Sequence, residues 1–167
     1  MHIKRLMFQF FQGLAHIHKM GIAHRDIKPD NILISVDADS NKDNLKICDF
    51  GSAKYLPSHN TNLSTHETIA AKSSVTYIST RYFRSPELLY GNQYYGTEID
   101  LWAAGCVLAE LFTKPAIKKV QSGKQMLTLE NYTLFRGDSN IHQLALIINL
   151  KGTPTNEDLK KINPLYN

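Results

Sequence analysis

Hydrophobic residues recur at helical spacing in the first part of the chain. Between Ile3 and Ile17 the apolar positions are mostly three or four residues apart. Such spacing places them on one face of a helix. Gly21 stands where the C-terminal cap of that helix is expected. The pattern therefore predicts an amphipathic helix that ends shortly before Gly21.

Two short apolar runs follow, separated by residues that favour turns. The runs are NILIS at 31–35 and LKICDF at 45–50, and VDADSNKDN lies between them. Apolar runs joined by such a segment predict a β-hairpin. Pairing of the two runs would bring Asp49, at the end of the second run, alongside Asn31.

The middle of the chain changes from a polar stretch to an apolar one. Residues 51–74 are rich in Ser, Thr, Asn and His and show no periodicity, which predicts a long, mobile surface segment. Residues 97–112 are apolar on nearly every side, which predicts a buried helix. Thr97 and Asp100 resemble a capping box at its start.

The last part of the chain predicts two further helices. A second aperiodic polar stretch covers 114–132, and a short amphipathic helix is expected at 140–150. Either Thr155 or Asn156 would cap the next helix. The chain as a whole is predicted to be mainly helical with one small hairpin.

Composition places the chain among globular proteins with a single ordinary domain. It has 167 residues, of which 43% are hydrophobic and 20% charged. No apolar run is long enough to span a membrane, and no signal peptide is recognisable. The net charge of +4 is not clustered, so we expect neither a membrane nor a nucleic acid as partner. Cys48 and Cys106 lie in apolar surroundings, which predicts buried free thiols in a reducing compartment, cytoplasmic or nuclear.

A group of polar residues precedes the first strand of the predicted hairpin. Asp26, Lys28 and Asn31 lie within six residues, and the hairpin would add Asp49. Amide and carboxylate oxygens are ligands suited to Mg²⁺. A carboxylate and an ammonium beside such a metal site indicate phosphoryl transfer, in which the protein positions groups and neutralises charge.

Four motifs in order carry a resemblance to a known family. HRDIKPDN, DFG, TRYFRSPE and DLWAAGCVLAELF resemble the catalytic loop, the metal-binding motif, the end of the activation segment and the central helix of eukaryotic protein kinases. Lys28 matches the serine/threonine-kinase pattern. DFGSAK, TYISTRYFRSPELLYG and LKGTPTNEDLKKINPLY are similar to the glycogen synthase kinase-3 branch. The implied fold is mainly α (α+β), a kinase-like C-terminal large lobe with a small β-hairpin.

The resemblance implies a role for each residue of the catalytic loop and its surroundings. Asp26 would be the base for the substrate hydroxyl, and Lys28 would stabilise the transferring phosphoryl. Asn31 and Asp49 would hold Mg²⁺. The positions implied to line the floor under the adenine of ATP are Leu33 and Cys48.

Further roles are implied for residues that support this loop. His24 would be structural and pack near Phe50. Asp100 would tie the central helix to the catalytic-loop backbone. Thr80 would bridge Asp26 and Lys28. Glu87 would form an ion pair with an arginine expected beyond the end of this sequence.

Two residue sets imply regulation and substrate choice, and each leaves an alternative open. Tyr77 would be the activation-segment tyrosine that is phosphorylated, or else only an aromatic loop anchor. Arg25 and Lys54 would receive a phosphate already present on a protein substrate. The alternative is that Arg25 pairs with a phosphate on this chain itself, at Ser73, Ser74 or Thr76.

The resemblance is incomplete at both ends. Residues 1–167 are expected to be a partial kinase domain, with polar insertions at about 57–73 and 117–133. The sequence contains no glycine-rich loop and no strand lysine of the small lobe. We expect a serine/threonine kinase lobe that is inactive by itself; the alternative is a non-catalytic fragment that acts as an interaction module. In the family, the later helices bind scaffold proteins.

Overall fold

The computed structural model describes residues 2–37, 42–56, 74–113 and 133–163. The predicted insertions therefore lie outside the described residues, apart from Thr133. Within the described ranges the helices are α1 (His2–Lys19), α2 (Pro86–Leu89), α3 (Glu98–Thr113), α4 (Asn140–Lys151) and α5 (Asn156–Ile162). The strands are β1 (Ile22–Ala23), β2 (Ile32–Asp37), β3 (Lys42–Ile47) and β4 (Lys54–Tyr55).

The first helix confirms the prediction from the apolar spacing. Met7, Phe10 and Leu14 are buried on the face of α1 that contacts the core. Gly21 follows the helix with φ = +74°, and its N–H donates to the carbonyl of His18 at 2.9 Å. Glycine adopts this left-handed conformation without steric cost, which explains its position after the helix.

The predicted hairpin is present as the antiparallel pair β2–β3, but both strands extend into the segment predicted as a turn, β2 as far as Asp37 and β3 from Lys42 onward. Ile32 lies opposite Ile47, and Ile34 lies opposite Leu45. Gln9 of α1 fixes β3 against the helix, because its amide donates to the carbonyl of Asp43 (3.0 Å) and accepts from the N–H of Leu45 (2.8 Å).

A second, two-stranded sheet was not predicted. Strand β1 pairs with β4, with Ile22 opposite Tyr55 and Ala23 opposite Lys54. Each strand has two residues, which is too short to show an alternating pattern. The prediction of one hairpin was therefore incomplete. This small sheet holds the start of the predicted catalytic loop against the segment that follows DFG.

Helix α3 forms the centre of the core, but two details differ from the prediction. Ala104 and Val107 are buried, whereas Leu101 is 52% and Phe112 71% exposed. These two side chains are largely exposed, so the helix is not buried all round. The predicted capping box is also wrong, because the described contacts of the Asp100 carboxylate are made to residues before β2 and not to Thr97.

The last two helices have well-defined N-caps. The Ser139 hydroxyl accepts from the N–H of His142 (3.1 Å) at the start of α4. At α5 the choice left open by the sequence is decided in favour of Thr155, which forms a capping box with Asp158. Among the described residues, no helix has the length and apolar character needed to cross a membrane.

Both cysteines are free. Cys106 is buried in the core, and burial raises the pKa of its thiol to about 12. Cys48 is only half-buried, in contrast to the prediction, because it lies at the end of the hairpin rather than inside the core.

Candidate active site

The loop between β1 and β2 is held in place by one carboxylate of helix α3. Asp100 accepts hydrogen bonds from the backbone N–H groups of His24 and Arg25, each at 2.8 Å. It also contacts Nε2 of His18 at 2.9 Å. Arg25 has φ = +68°, a conformation that is unfavourable for a non-glycine residue and persists only where the surroundings impose it. The predicted contact of Asp100 with the loop backbone is confirmed, whereas the contact with His18 was missed.

His24 connects this loop to the segment that contains DFG. Its ring is fully buried and lies 4.8 Å from the ring of Phe50. Nδ1 accepts from the N–H of Asp26 (3.3 Å). In the neutral ring the proton is therefore on Nε2, which donates to the carbonyl of Cys48 at 2.9 Å. These contacts agree with the structural role predicted for His24.

The carboxylate of Asp26 lies at the centre of a hydrogen-bond network. Its Oδ1 atom accepts from the backbone N–H of Thr80 (3.1 Å) and from the Thr80 hydroxyl (3.2 Å). Its Oδ2 atom accepts from Nζ of Lys28 (2.8 Å) and from the amide of Asn31 (3.2 Å). Lys28 also donates to the Thr80 hydroxyl at 3.3 Å. The contact of Thr80 with both Asp26 and Lys28, which the resemblance implies, is thus present.

This network keeps Asp26 and Lys28 in their charged forms. Burial raises the pKa of Asp26, but the hydrogen bonds from Lys28 and Thr80 outweigh it, and the net effect is a lowered pKa. The hydrogen bond to Asp26 raises the pKa of Lys28, with smaller contributions from the charges of Asp30 and Asp49. At neutral pH the pair is therefore a carboxylate and an ammonium, and the carboxylate is able to accept a proton.

The hairpin brings Asn31 and Asp49 to the same corner. The N–H of Cys48 donates to the carbonyl of Asn31 at 2.9 Å. The Asn31 amide nitrogen donates to the carbonyl and the carboxylate of Asp26, which leaves its amide oxygen for a cation. Asp49 is exposed, has φ = +61° and accepts from the N–H of Gly51 at 3.3 Å.

These donors fit Mg²⁺, which is bound by a few protein oxygens and keeps several waters. The described residues contain no cluster of three or more His, Cys, Asp or Glu side chains that would form a site made by the protein alone. A buried amide and an exposed carboxylate at one corner agree instead with a metal that is shared with a phosphate ligand.

The two residues predicted under the adenine lie beside this corner. Leu33 is opposite Lys46 in the hairpin and is 56% exposed. Cys48 follows directly after β3 and is half-buried. Both are on the accessible side of the hairpin, but no contact in the structure tests their predicted role.

Tyr77 is accessible and lies over a buried arginine that the motif analysis had not singled out. The Tyr77 side chain is 70% exposed, and the guanidinium of Arg84 lies 4.7 Å from the centre of its ring. Arg84 donates to the carbonyls of Ile78 (2.9 Å) and Ser79 (3.0 Å) and to the side chain of Asn140 (3.1 Å). It therefore joins the activation segment to α4. The position of this arginine within the RSPE stretch was the sequence signal that could have indicated its structural role.

Strand pairing brings Lys54 close to the predicted catalytic loop. Lys54 lies opposite Ala23, two residues before Arg25. Its ammonium donates to the hydroxyl of Ser74 at 2.7 Å. Ser74 is one of the three residues for which the sequence analysis left open a phosphate on this chain.

Arg25 is held by two oxygens on different segments. Its Nε atom donates to the carbonyl of Ser52, and its NH1 atom donates to the hydroxyl of Tyr95 at 3.1 Å. Tyr95 in turn donates to the carbonyl of Val75 at 2.9 Å. Sequence reasoning missed Tyr95, because nothing in its neighbourhood marks it as different from Tyr94.

Glu87 has no arginine partner among the contacts that the structure describes. Burial raises the pKa of its carboxyl group, which is the expected effect of taking a carboxylate out of water. The predicted ion pair concerns a residue outside this sequence.

A helix-rich fold with a loop that joins Asp26, Lys28 and Asn31 is the arrangement expected of a protein kinase. Residues 1–160 match the family described as the protein kinase domain, and the chain belongs to this family.

One curated relative is a kinase of the glycogen synthase kinase type. The chain is 40% identical over 166 residues to Glycogen synthase kinase 1 of Pyricularia oryzae, an alignment that covers 99% of this chain and 34% of that protein. The predicted similarity to kinases of the glycogen synthase kinase type is thereby confirmed. The chain spans about a third of the length of the relative.

Proposed function

We propose that this chain is the large lobe of a protein serine/threonine kinase, which transfers the γ-phosphoryl group of ATP to serine and threonine hydroxyls of protein substrates. One observation carries the proposal. The Asp26 carboxylate is held by Lys28 and Thr80 in its ionised form, beside the corner formed by Asn31 and Asp49.

Each residue of this network has a task in phosphoryl transfer. Asp26 orients the substrate hydroxyl and accepts its proton. The ammonium of Lys28 stabilises negative charge on the transferring phosphoryl. Thr80 holds the two side chains together through its hydroxyl. Asn31 and Asp49 would hold Mg²⁺, which neutralises charge on the phosphates when it is bound.

The main test uses a protein kinase that contains this chain. We expect it to phosphorylate peptides on serine or threonine, and Asp26→Asn to remove most of the turnover. Asp30→Asn is the matched control, because Asp30 is an exposed carboxylate in the same loop. Phosphorylation of tyrosine alone, or equal activity of the two variants, would contradict the proposal.

The preferred substrates are proposed to carry a phosphate already. Support comes from the β1–β4 pairing, in which Lys54 lies opposite Ala23, two residues before Arg25. Two cations on neighbouring segments favour an anion between them. Arginine suits this task because its planar group binds phosphate oxygens through two hydrogen bonds. The Lys54–Ser74 contact favours the alternative, in which the phosphate belongs to Ser74 of this chain.

Paired peptides separate these two ideas. We expect a peptide with a second phosphate to be a better substrate than the same peptide without it, and Lys54→Ala to reduce that preference. Ser74→Ala should leave the preference intact. If Ser74→Ala abolishes activity on both peptides and Lys54→Ala changes nothing further, the phosphate is on this chain.

A scaffold-binding surface, phosphorylation of Tyr77 and the location in the cell are also proposed. A scaffold protein would bind α4, on which Ile141 is 81% and Leu150 61% exposed. Tyr77, exposed above Arg84, would be phosphorylated. The proposed location is the cytoplasm or the nucleus.

A second candidate function is supported by one apolar surface. The α1–α3 groove is lined by Ile3, Lys4, Met7, Phe8, Phe11, Leu108 and Phe112. Exposed apolar patches of this kind mark interfaces or aggregation-prone surfaces. If the chain does not act in catalysis, binding of another protein is the alternative.

A further inference from the structure

A separate cavity lies on the side of the molecule formed by α2, α4 and α5. Its volume is about 360 Å³, and its floor is apolar, with Pro86, Trp102, Ile148 and Ile162 among the lining residues. None of the residues assigned to phosphoryl transfer lines it. The volume falls in the range of roughly 300–1,000 Å³ that is usual for small-molecule sites. We call it the α4–α5 cavity.

The polar groups around this cavity are mostly cations and donors. Lys151 and Lys161 line it, and both side chains are exposed. Among the described lining residues the one acidic side chain is that of Asp158, whose carboxylate accepts from the N–H (3.0 Å) and hydroxyl (2.7 Å) of Thr155 in the capping box. The indole nitrogen of Trp102 is buried without a hydrogen-bond partner in the part of the chain that the structure describes. Because this nitrogen is closed to solvent, a ligand in the cavity would meet the two lysines and not the indole N–H.

We propose that the α4–α5 cavity binds a small amphipathic carboxylate with a single anionic head and a medium-length apolar tail. The apolar floor takes the tail out of water, which is favourable in proportion to the area buried. Lys151 and Lys161 attract the head electrostatically. A neutral alcohol or a cationic amphiphile of the same length lacks the charge that the two lysines favour.

The single tryptophan of the chain makes a direct test possible. Trp102 is the only tryptophan, so the intrinsic fluorescence of the 167-residue chain reports on this cavity. We expect octanoate, below its micelle-forming concentration, to change the emission in a saturable way. Octyltrimethylammonium should produce no saturable change, and 1-octanol a weaker one. Equal affinity for all three probes would overturn the proposal.

Matched lysine variants locate the binding site. Lys151→Gln and Lys161→Gln should each weaken octanoate binding about two- to fivefold, as expected for an exposed charge pair. Lys160→Gln is the control, because Lys160 is exposed on the same helix as Lys161 but does not line the cavity. An unchanged affinity in both cavity variants, or an equal loss in the control, would refute the assignment. The emission could also stay unchanged with every probe and shift only with protein concentration. That result would mean that a second copy covers the cavity, and it would refute the proposal.

Discussion

Asp26 and Asp49 are both carboxylates near the proposed phosphoryl-transfer site, but they lie in different surroundings. Asp26 accepts four hydrogen bonds, from Lys28, Asn31 and Thr80. Asp49 is exposed and accepts one described hydrogen bond, from its own turn. The first surroundings suit a base that is held in place, and the second suit a metal ligand.

This difference leads to a prediction for the kinase that contains the chain. Asp26→Asn should lower kcat by about 10²- to 10⁴-fold, the usual contribution of a general base, while nucleotide affinity stays close to the parent value. Asp49→Asn should also weaken nucleotide binding and shift the Mg²⁺ dependence of the rate. Steady-state kinetics at several Mg²⁺ concentrations measures both. An identical Mg²⁺ dependence in the two variants and the parent would contradict the separate roles.

The lowered pKa of Asp26 predicts how acid affects stability. A carboxylate whose pKa is lower in the folded than in the unfolded chain stabilises the fold at pH values above the unfolded pKa of about 4. This contribution is lost as the pH falls through the folded value. Denaturant unfolding between pH 6 and roughly pH 3 should therefore show a smaller loss of stability in Asp26→Asn than in the parent. Asp30→Asn is the control, and an equal pH dependence in all three proteins would be inconsistent with the Asp26 network.

Tyr95 is predicted to position Arg25 for the proposed primed phosphate. Its hydroxyl links Arg25 to the carbonyl of Val75, and Tyr95→Phe removes only this link. We expect the KM for a phosphate-primed peptide to rise several-fold, with little change in the kcat for the unprimed peptide. Tyr94→Phe, on a neighbouring residue that is 40% exposed, should change neither. A loss of kcat on both peptides in Tyr95→Phe would point to a general structural role instead.

At the scale of the elements, the central helix α3 supports the loop between β1 and β2 through Asp100. Replacing this carboxylate by Asp100→Ala would leave buried donors of His24 and Arg25 without an acceptor. We expect the free energy of unfolding to fall by about 3–5 kcal/mol, the range for breaking a buried charged contact. Chemical denaturation measures it.

Glu98→Gln tests whether this effect is specific to Asp100. Glu98 is an exposed acidic residue in the first turn of the same helix, and it accepts from the N–H of Gly96. Its replacement should change stability by less than about 1 kcal/mol. A similar loss in both variants would show that charge at the start of α3 matters more than the contacts of Asp100.

Elements of different length were predictable to different degrees. The spacing of apolar residues in α1 and the two apolar runs that form β2 and β3 were sufficient, because each pattern extends over several residues. The β1–β4 pair has only two residues in each strand. Its existence depends on the approach of two distant segments, which no local pattern records.

For the whole molecule, the α1–α3 groove should govern behaviour in solution. Phe8 is 63% and Phe112 71% exposed, and exposed aromatic area promotes association. We predict that the isolated chain self-associates, and that Phe8→Gln with Phe112→Gln shifts it toward the monomer. Sedimentation velocity measures the change. Ile141→Gln, at an exposed site on α4, should have a smaller effect; a monomeric parent at high concentration would refute the prediction.

The isolated chain is also predicted to bind Mg·ATP weakly. It supplies the Asn31–Asp49 corner and Leu33, but Leu33 remains 56% exposed, so adenine would contact protein on one side only. Calorimetry with Mg·ATP is the direct measurement. Micromolar affinity would show that these residues suffice for the nucleotide.

The sequence by itself determined the family, the types of residue in the catalytic loop, helix α1 and the hairpin. These follow from motifs and periodic patterns within short segments. Only the tertiary structure decided that Asp100 holds the loop rather than capping its own helix, that Arg84 lies beneath Tyr77, and that Tyr95 joins Arg25 to the activation segment. Each of these contacts joins residues far apart in the chain or depends on the local fold of the backbone. A side chain's partner is decided by which donors packing brings within reach, and a pattern of residue types does not contain that distance.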